Sequence, residues 1–169
     1  LILDFPEFYP FFSEKEFLFD GRAPANKVNR NPLLGLGIGA DGLKTGHTQE
    51  AGYGLVGSAK QDDRRLIFVF TGLSSAAERA YEAEAIVNWA FRQFNIKSFG
   101  KKDTRIAMAH VWNGDTSNVG LKLTKDLKVL VPVFKEKPVS FMIEYDSPIP
   151  APIHAGQEIA DLIIKAGDM

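Results

Sequence analysis

Lys44-Thr45-Gly46-His47 sets an ammonium, a hydroxyl, uncluttered backbone and an imidazole side by side. Lys-Thr-Gly alone recurs by chance in roughly one chain of this length in twenty or thirty. The weight therefore falls on the longer string Asp41-Gly42-Leu43-Lys44-Thr45-Gly46-His47-Thr48. Competing signals fail on context. Gly37-x-Gly39-x-x-Gly42 matches the dinucleotide fingerprint by letter, but Pro32 precedes it, and Gly46, Gly52 and Gly54 stand where a pyrophosphate-binding helix is needed. Gly37-x4-Gly42-Leu43-Lys44-Thr45 misses the P-loop, because Leu43 separates the last glycine from the lysine. Gly72-Leu73-Ser74-Ser75-Ala76 approaches a nucleophile elbow with Ala76 at the second glycine position; a serine N-cap at a strand–helix junction accounts for it more simply. His47, His110 and His154 are scattered, without metal-ligand spacing, and the chain has no cysteine. Thiol nucleophiles, thiolate metal sites and disulfides are excluded.

The elements that must position the lysine string can be read from periodicity. Leu43–His47 and Tyr53–Ala59 predict two strands of an antiparallel meander. Gln61-Asp62-Asp63-Arg64 predicts a turn, and Leu66–Thr71, apolar on both faces, predicts a central strand covered on both sides. Ser75-Ala76-Ala77-Glu78 has the form of a capping box. Behind it Ala80, Ala83, Val87, Ala90, Phe91 and Phe94 recur at steps of three and four, which predicts a helix from about Ala76 to Phe94 packed on the sheet. Residues 1–30 hold Phe5, Phe8, Tyr9, Phe11, Phe12, Phe17 and Phe19 between prolines. They predict loop and short helix, with the rings filling core and one short strand at Glu16–Phe19.

Composition shifts at Lys97–Asp103. Beyond it the pattern is of short strands and turns: Arg105–Val111, Asn113-Gly114, Leu121–Leu123, Lys128–Phe134, Val139–Tyr145 and Glu158–Ile164. These predict a small all-β sandwich over residues 101–169, expected to be incomplete, after a first domain over 1–100. The whole is α+β. With 169 residues, 45% hydrophobic and 24% charged, the chain can build a core, and disorder, collagen and coiled coil are excluded. Twenty basic residues against 21 acidic leave a net charge of -1, so no basic field exists for nucleic acid. No apolar run reaches the ~20 residues of a membrane span. The opening Leu1, with Asp4, Pro6 and Glu7 behind it, does not read as a signal peptide, and the expectation is a continuation of something longer.

The lysine string, with Asn29-Arg30-Asn31 upstream and Ala51-Gly52-Tyr53, Arg79-x-x-Glu82 and Trp89-Ala90-Phe91-Arg92 downstream, closely resembles the low-molecular-weight penicillin-binding proteins. These are the serine D-alanyl-D-alanine carboxypeptidases of bacterial cell-wall metabolism. The resemblance covers most of residues 14–100 and continues more weakly through the β-rich tail. It implies that residues 1–100 are the latter part of a β-lactamase/transpeptidase-like domain, an antiparallel sheet with its C-terminal helix. It further implies an acyl-enzyme route, peptidoglycan stem peptides as substrate, β-lactam antibiotics as acylating ligands, and a place in the periplasm or on the outer face of the cytoplasmic membrane. No metal or organic cofactor is implied.

Of the family's three motifs only K-T-G is present. Substrate can pair with an edge strand by β-augmentation. Gly46 keeps a side chain from the approaching acyl group. Lys44 supplies positive potential, and the Thr45 hydroxyl can bond the substrate carboxylate. By resemblance, the His47 N–H is one oxyanion donor, and Arg79 and Arg30 lie near the substrate carboxylate, which suits a planar fork of donors. Ser98-Phe99-Gly100-Lys101 spells S-x-x-K, but after K-T-G rather than before it, and no S-x-N exists. The nucleophile is therefore expected from the missing N-terminal half of the catalytic domain, and this chain alone is expected to be inactive. The family's usual C-terminal membrane anchor is not in the sequence. A β-lactamase of the same superfamily and a non-catalytic wall-binding module are the alternatives.

Overall fold

The computed structural model describes residues 2–19, 21–134 and 138–166. The chain divides into two compact units, residues 1–92 and 93–169.

In the first unit, 3-10 turns at Tyr9–Ser13, Pro24–Lys27 and Pro32–Gly35 lead into three strands, β1 (Ala40–Thr48), β2 (Gly52–Gln61) and β3 (Arg64–Leu73). They form an antiparallel sheet in the order β1-β2-β3. The glycines at 37–42 lead into a strand, not into the helix that the rejected dinucleotide pattern requires. Helix α1 (Ala76–Gln93) follows. Its cap is a variant of the expected box. The Ser75 hydroxyl accepts from the Glu78 N–H at 3.0 Å, while the Glu78 carboxylate reaches past Ser75 to the Ser74 N–H at 2.7 Å.

Register divides the sheet into two faces, because residues opposite one another share a side. Thr45, Leu55 and Phe70 align on one face, and Lys44, Val56 and Val69 on the other. The first face packs on α1, where Leu33, Leu55, Ala59, Phe68, Ala83 and Val87 are buried together. Gly57 is needed there, since a Cβ at this position would collide with the ring of Phe68.

Three expectations are corrected. Strand β3 is not covered on both sides: Phe68 is buried, whereas Ile67 and Val69 are 52% and 71% exposed, and β3 ends the described sheet. An unbroken apolar run reports hydrophobicity on both faces, not the presence of a cover. Most of the N-terminal aromatics do not fill core: Tyr9 is buried and Phe12 half-buried, but Phe5, Phe8, Phe11, Phe17 and Phe19 are exposed. Proline-broken 3-10 turns have no long face that could turn every ring inward. The strand expected at Glu16–Phe19 is reduced to a single bridge between Glu16 and Val28.

The second unit is all β among the described residues. Strands β4 (Phe94–Gly100) and β7 (Leu127–Pro132) pair, as do β8 (Val139–Glu144) and β10 (Asp161–Ala166). Strand β5 (Arg105–Trp112) lies between β6 (Asn118–Lys122) and the two-residue β9 (Ile149–Pro150). Ala109, Leu121 and Ile149 form its core, and Ile143 of β8 packs against them, so small sheets close face to face. The stretch at 97–103, where composition shifts, is strand as far as Gly100. Its backbone pairs with β7, a partner that composition does not reveal.

Candidate active site

Strand β1 is an edge of its sheet, and it carries Lys44, Thr45, Gly46 and His47 in consecutive positions. Lys44 is exposed, and its ammonium donates to the Thr45 carbonyl at 2.6 Å. Thr45 is half-buried and His47 exposed. A Cβ at Gly46 would meet no heavy atom of the described residues within 4 Å. Packing inside this chain therefore does not require glycine at 46, whereas it does at Gly57.

A cleft of about 360 Å³ runs along β1 between Lys44 and Thr45 on one side and Phe12, Asn29 and Arg30 on the other. Two asparagines hold the loop that forms its far wall. Asn29 donates from Nδ2 to the carbonyls of Glu14 (3.0 Å) and Phe12 (3.4 Å) and accepts from the Asn31 N–H (3.0 Å). Asn31, 5% exposed, donates to the Gly42 carbonyl at 2.9 Å and accepts from the Leu33 N–H at 3.1 Å. The loop is thereby tied to β1 two residues before Lys44. Arg30 is exposed, and its guanidinium donates to Asn26 Oδ1 at 2.7 Å.

Arg79 is not the solvated helix-start arginine that its position suggests. It is buried in the stripe with Ala83 and Val87. Its Nη2 donates to the Arg30 carbonyl at 3.4 Å, and its guanidinium lies 5.6 Å from the centre of the Tyr53 ring. Tyr53 is the cross-strand partner of His47, and their rings lie 3.9 Å apart. Arg30, Arg79 and the K-T-G strand thus belong to one constellation. Ser98 does not: it sits at an exposed position of β4 in the other unit.

A second cluster was not singled out in the sequence. Arg65 Nη1 donates to Asp41 Oδ1 (2.8 Å), the Tyr9 oxygen (3.1 Å) and Ser58 Oγ (2.6 Å). Arg65 Nη2 lies 2.8 Å from Asp41 Oδ2, and the Tyr9 hydroxyl donates to Asp41 Oδ1 at 2.8 Å. One guanidinium therefore joins all three strands and the first 3-10 turn, three residues before Lys44. Burial pulls the Asp41 carboxyl upward, but hydrogen bonds from Arg65, Tyr9 and Ser58 outweigh it and leave it below its ordinary value. Burial, together with the Asp41 carboxylate, pushes the Tyr9 phenol up, against the opposing pull of Ser58 and Arg65. The Asp41 hydrogen bond pushes Arg65 up. The available signal was Asp41 within the motif string; its partner lies 24 residues away and depends on register.

The described sheet thus ends in a strand whose adjoining cleft is lined by the cationic Lys44 and Arg30. The family described as D-alanyl-D-alanine carboxypeptidase matches residues 1–75, and the one described as penicillin-binding protein 5, C-terminal domain, matches residues 94–169. The D-alanyl-D-alanine carboxypeptidases DacA and DacC of Escherichia coli (strain K12) are 34% and 37% identical to it over 165 and 164 residues. Each alignment covers 96% of this chain and 40% of the relative. The crystal structure of penicillin binding protein 5 from Haemophilus influenzae matches 99% of this chain and 49% of its own, with a TM-score of 0.80 and 34% identity. The chain belongs to the low-molecular-weight penicillin-binding protein family of D-alanyl-D-alanine carboxypeptidases, and corresponds to the portion that includes the C-terminal domain. It spans about 40% of the length of the curated relatives it matches.

Proposed function

We propose that this chain supplies the substrate-binding wall of a serine-type D-Ala-D-Ala carboxypeptidase that trims the terminal D-Ala from peptidoglycan stem peptides. The observation that carries this is the gathering of Arg30, Arg79 and Lys44–His47 around one edge strand whose Gly46 faces open space. The acyl-D-Ala end lies along β1 and pairs with its free backbone groups. Thr45 and the arginines hold the terminal carboxylate, where a guanidinium offers paired donors. Lys44 supplies positive potential beside the reacting groups. A serine from the rest of the catalytic domain attacks the carbonyl carbon of the penultimate D-Ala. The oxyanion receives the His47 N–H as one donor. The peptide C–N bond breaks, terminal D-Ala leaves as its amine takes up a proton, and water hydrolyses the resulting ester. β-Lactams acylate the same serine and leave slowly. This route implies no metal or organic cofactor.

The partner of this chain is the remaining, N-terminal part of the catalytic domain. Two observations support that. No Ser-x-x-Lys precedes Lys44 in the sequence. Lys44 also shares its sheet face with Val56 and the exposed Val69, so an apolar cover would arrive on the side where the ammonium is presented. The N-terminal part would form the catalytic domain with residues 1–100, and residues 101–169 the appended β domain. The setting is the periplasm or the outer face of the cytoplasmic membrane. Among the described residues no helix is long and apolar enough to cross a membrane.

Labelling with a fluorescent penicillin tests the proposal. The isolated 169-residue chain takes no covalent label, and the full-length protein does. Lys44→Ala weakens the full-length label severely. Label on Ser98 of the isolated chain would overturn the assignment of the nucleophile. Steady D-Ala release without rapid penicillin turnover separates a carboxypeptidase from a β-lactamase, and absence of both marks a non-catalytic module.

A further inference from the structure

Tyr53 touches two of the proposed site residues at once. It stands opposite His47 in the β1–β2 ladder, and the two rings lie 3.9 Å apart with 32° between their planes. The Arg79 guanidinium is 5.6 Å from the centre of the same ring. Arg79 is 7% exposed, its Nη2 makes a long 3.4 Å bond to the Arg30 carbonyl, and its buried Nε has no hydrogen-bond partner among the described residues. A guanidinium stays charged in proteins, so a buried one must be held by what surrounds it. Among the described residues its polar contacts are an aromatic face and one distant carbonyl, with donor capacity left over for an anion.

We infer that Tyr53 is a positioning residue, whose ring fixes the Arg79 guanidinium toward the substrate's terminal carboxylate and steadies His47 at the oxyanion side. This rests on the carboxypeptidase reading above. The ring does the work, because the attraction of a cation to an aromatic face and ring stacking on an imidazole both belong to the π-system. The phenolic oxygen is not required.

The test uses the full-length protein and two substrates: an N-acyl-D-Ala-D-Ala peptide with a free carboxylate, and the same peptide as its carboxamide. Rates are taken per active site, counted by penicillin titration. Wild type prefers the carboxylate, and Tyr53→Phe keeps that preference. In Tyr53→Leu and in the longer, unbranched Tyr53→Met the preference falls by roughly tenfold, through a loss on the carboxylate peptide. A merely structural Tyr53 would lower the number of titratable sites and leave the ratio per site unchanged. An unchanged ratio in either variant overturns the inference. So does an equal fall in Tyr53→Phe, which would give the role to the hydroxyl. If neither Tyr53→Leu nor Tyr53→Met yields titratable sites, Tyr53 serves the fold and the inference falls. A wild type that does not distinguish the two peptides instead removes the carboxylate role of Arg79, and with it the reading on which the inference stands.

Discussion

Arg65 shows how much one side chain can organise. Its guanidinium meets Asp41 on β1 and Ser58 on β2 while it is itself on β3, and Tyr9 closes the group from the N-terminal turn. The Asp41 carboxyl lies below its ordinary value of 3.8 despite the burial that opposes ionisation. A carboxyl held low in the fold releases its proton more readily there than in the unfolded chain. Its stabilisation is therefore present above the ordinary value and is lost as pH falls through the lower folded value. Asp41→Asn is expected to lower the urea midpoint at neutral pH. The difference from wild type shrinks as the pH is taken below 3.8. A difference that stays constant down to that range would mean that the charge on Asp41 is not what holds the group together.

At the scale of elements, two glycines on neighbouring strands make opposite demands. Gly57 on β2 faces the helix and leaves the space that the Phe68 ring fills. Gly46 on β1 faces nothing within 4 Å among the described residues. Gly57→Ala is expected to destabilise by about 1–3 kcal/mol, as overpacking does. Gly46→Ala is expected to leave the urea midpoint within about 0.5 kcal/mol of wild type, the range for a site with no such feature, and to slow penicillin acylation of the full-length protein. Denaturation and labelling of both variants separate the two demands, one made by the core and the other by the approach of substrate.

At the scale of the molecule, the first unit presents an unfinished surface. Ile67 and Val69 stand exposed on a sheet face, and β3 offers an unpaired edge among the described residues. Exposed apolar patches and open strand edges favour association. The isolated chain is expected to self-associate with rising concentration, as read by light scattering. Val69→Lys, which puts a charge on the edge strand at a position already 71% exposed, is expected to suppress that. Equal scattering from both proteins would place the adhesive surface elsewhere, with the exposed N-terminal phenylalanines as the next region to alter.

What the sequence determined by itself is what lies close along the chain. The strand–turn–strand pattern around Lys44, the 3.6-residue stripe from Ala83 to Ala90 and the serine cap at Ser75 are local patterns, and the structure contains each of them. The family resemblance likewise rested on short strings that folding leaves contiguous. What only the tertiary structure decided are the meetings over distance. Arg79 reaches the Arg30 carbonyl across 49 residues, and Arg65 reaches Tyr9 across 56. The Tyr53 ring finds both His47 and Arg79 only after β1, β2 and α1 have packed. Exposure was hidden for the same reason. Leu66–Phe70 spells the same apolar run whether or not a second layer covers it, and a phenylalanine carries no mark of what will lie over it. Periodicity is a property of the backbone, which the sequence records residue by residue. Register, cover and cross-strand partners belong to surfaces brought together from distant parts of the chain.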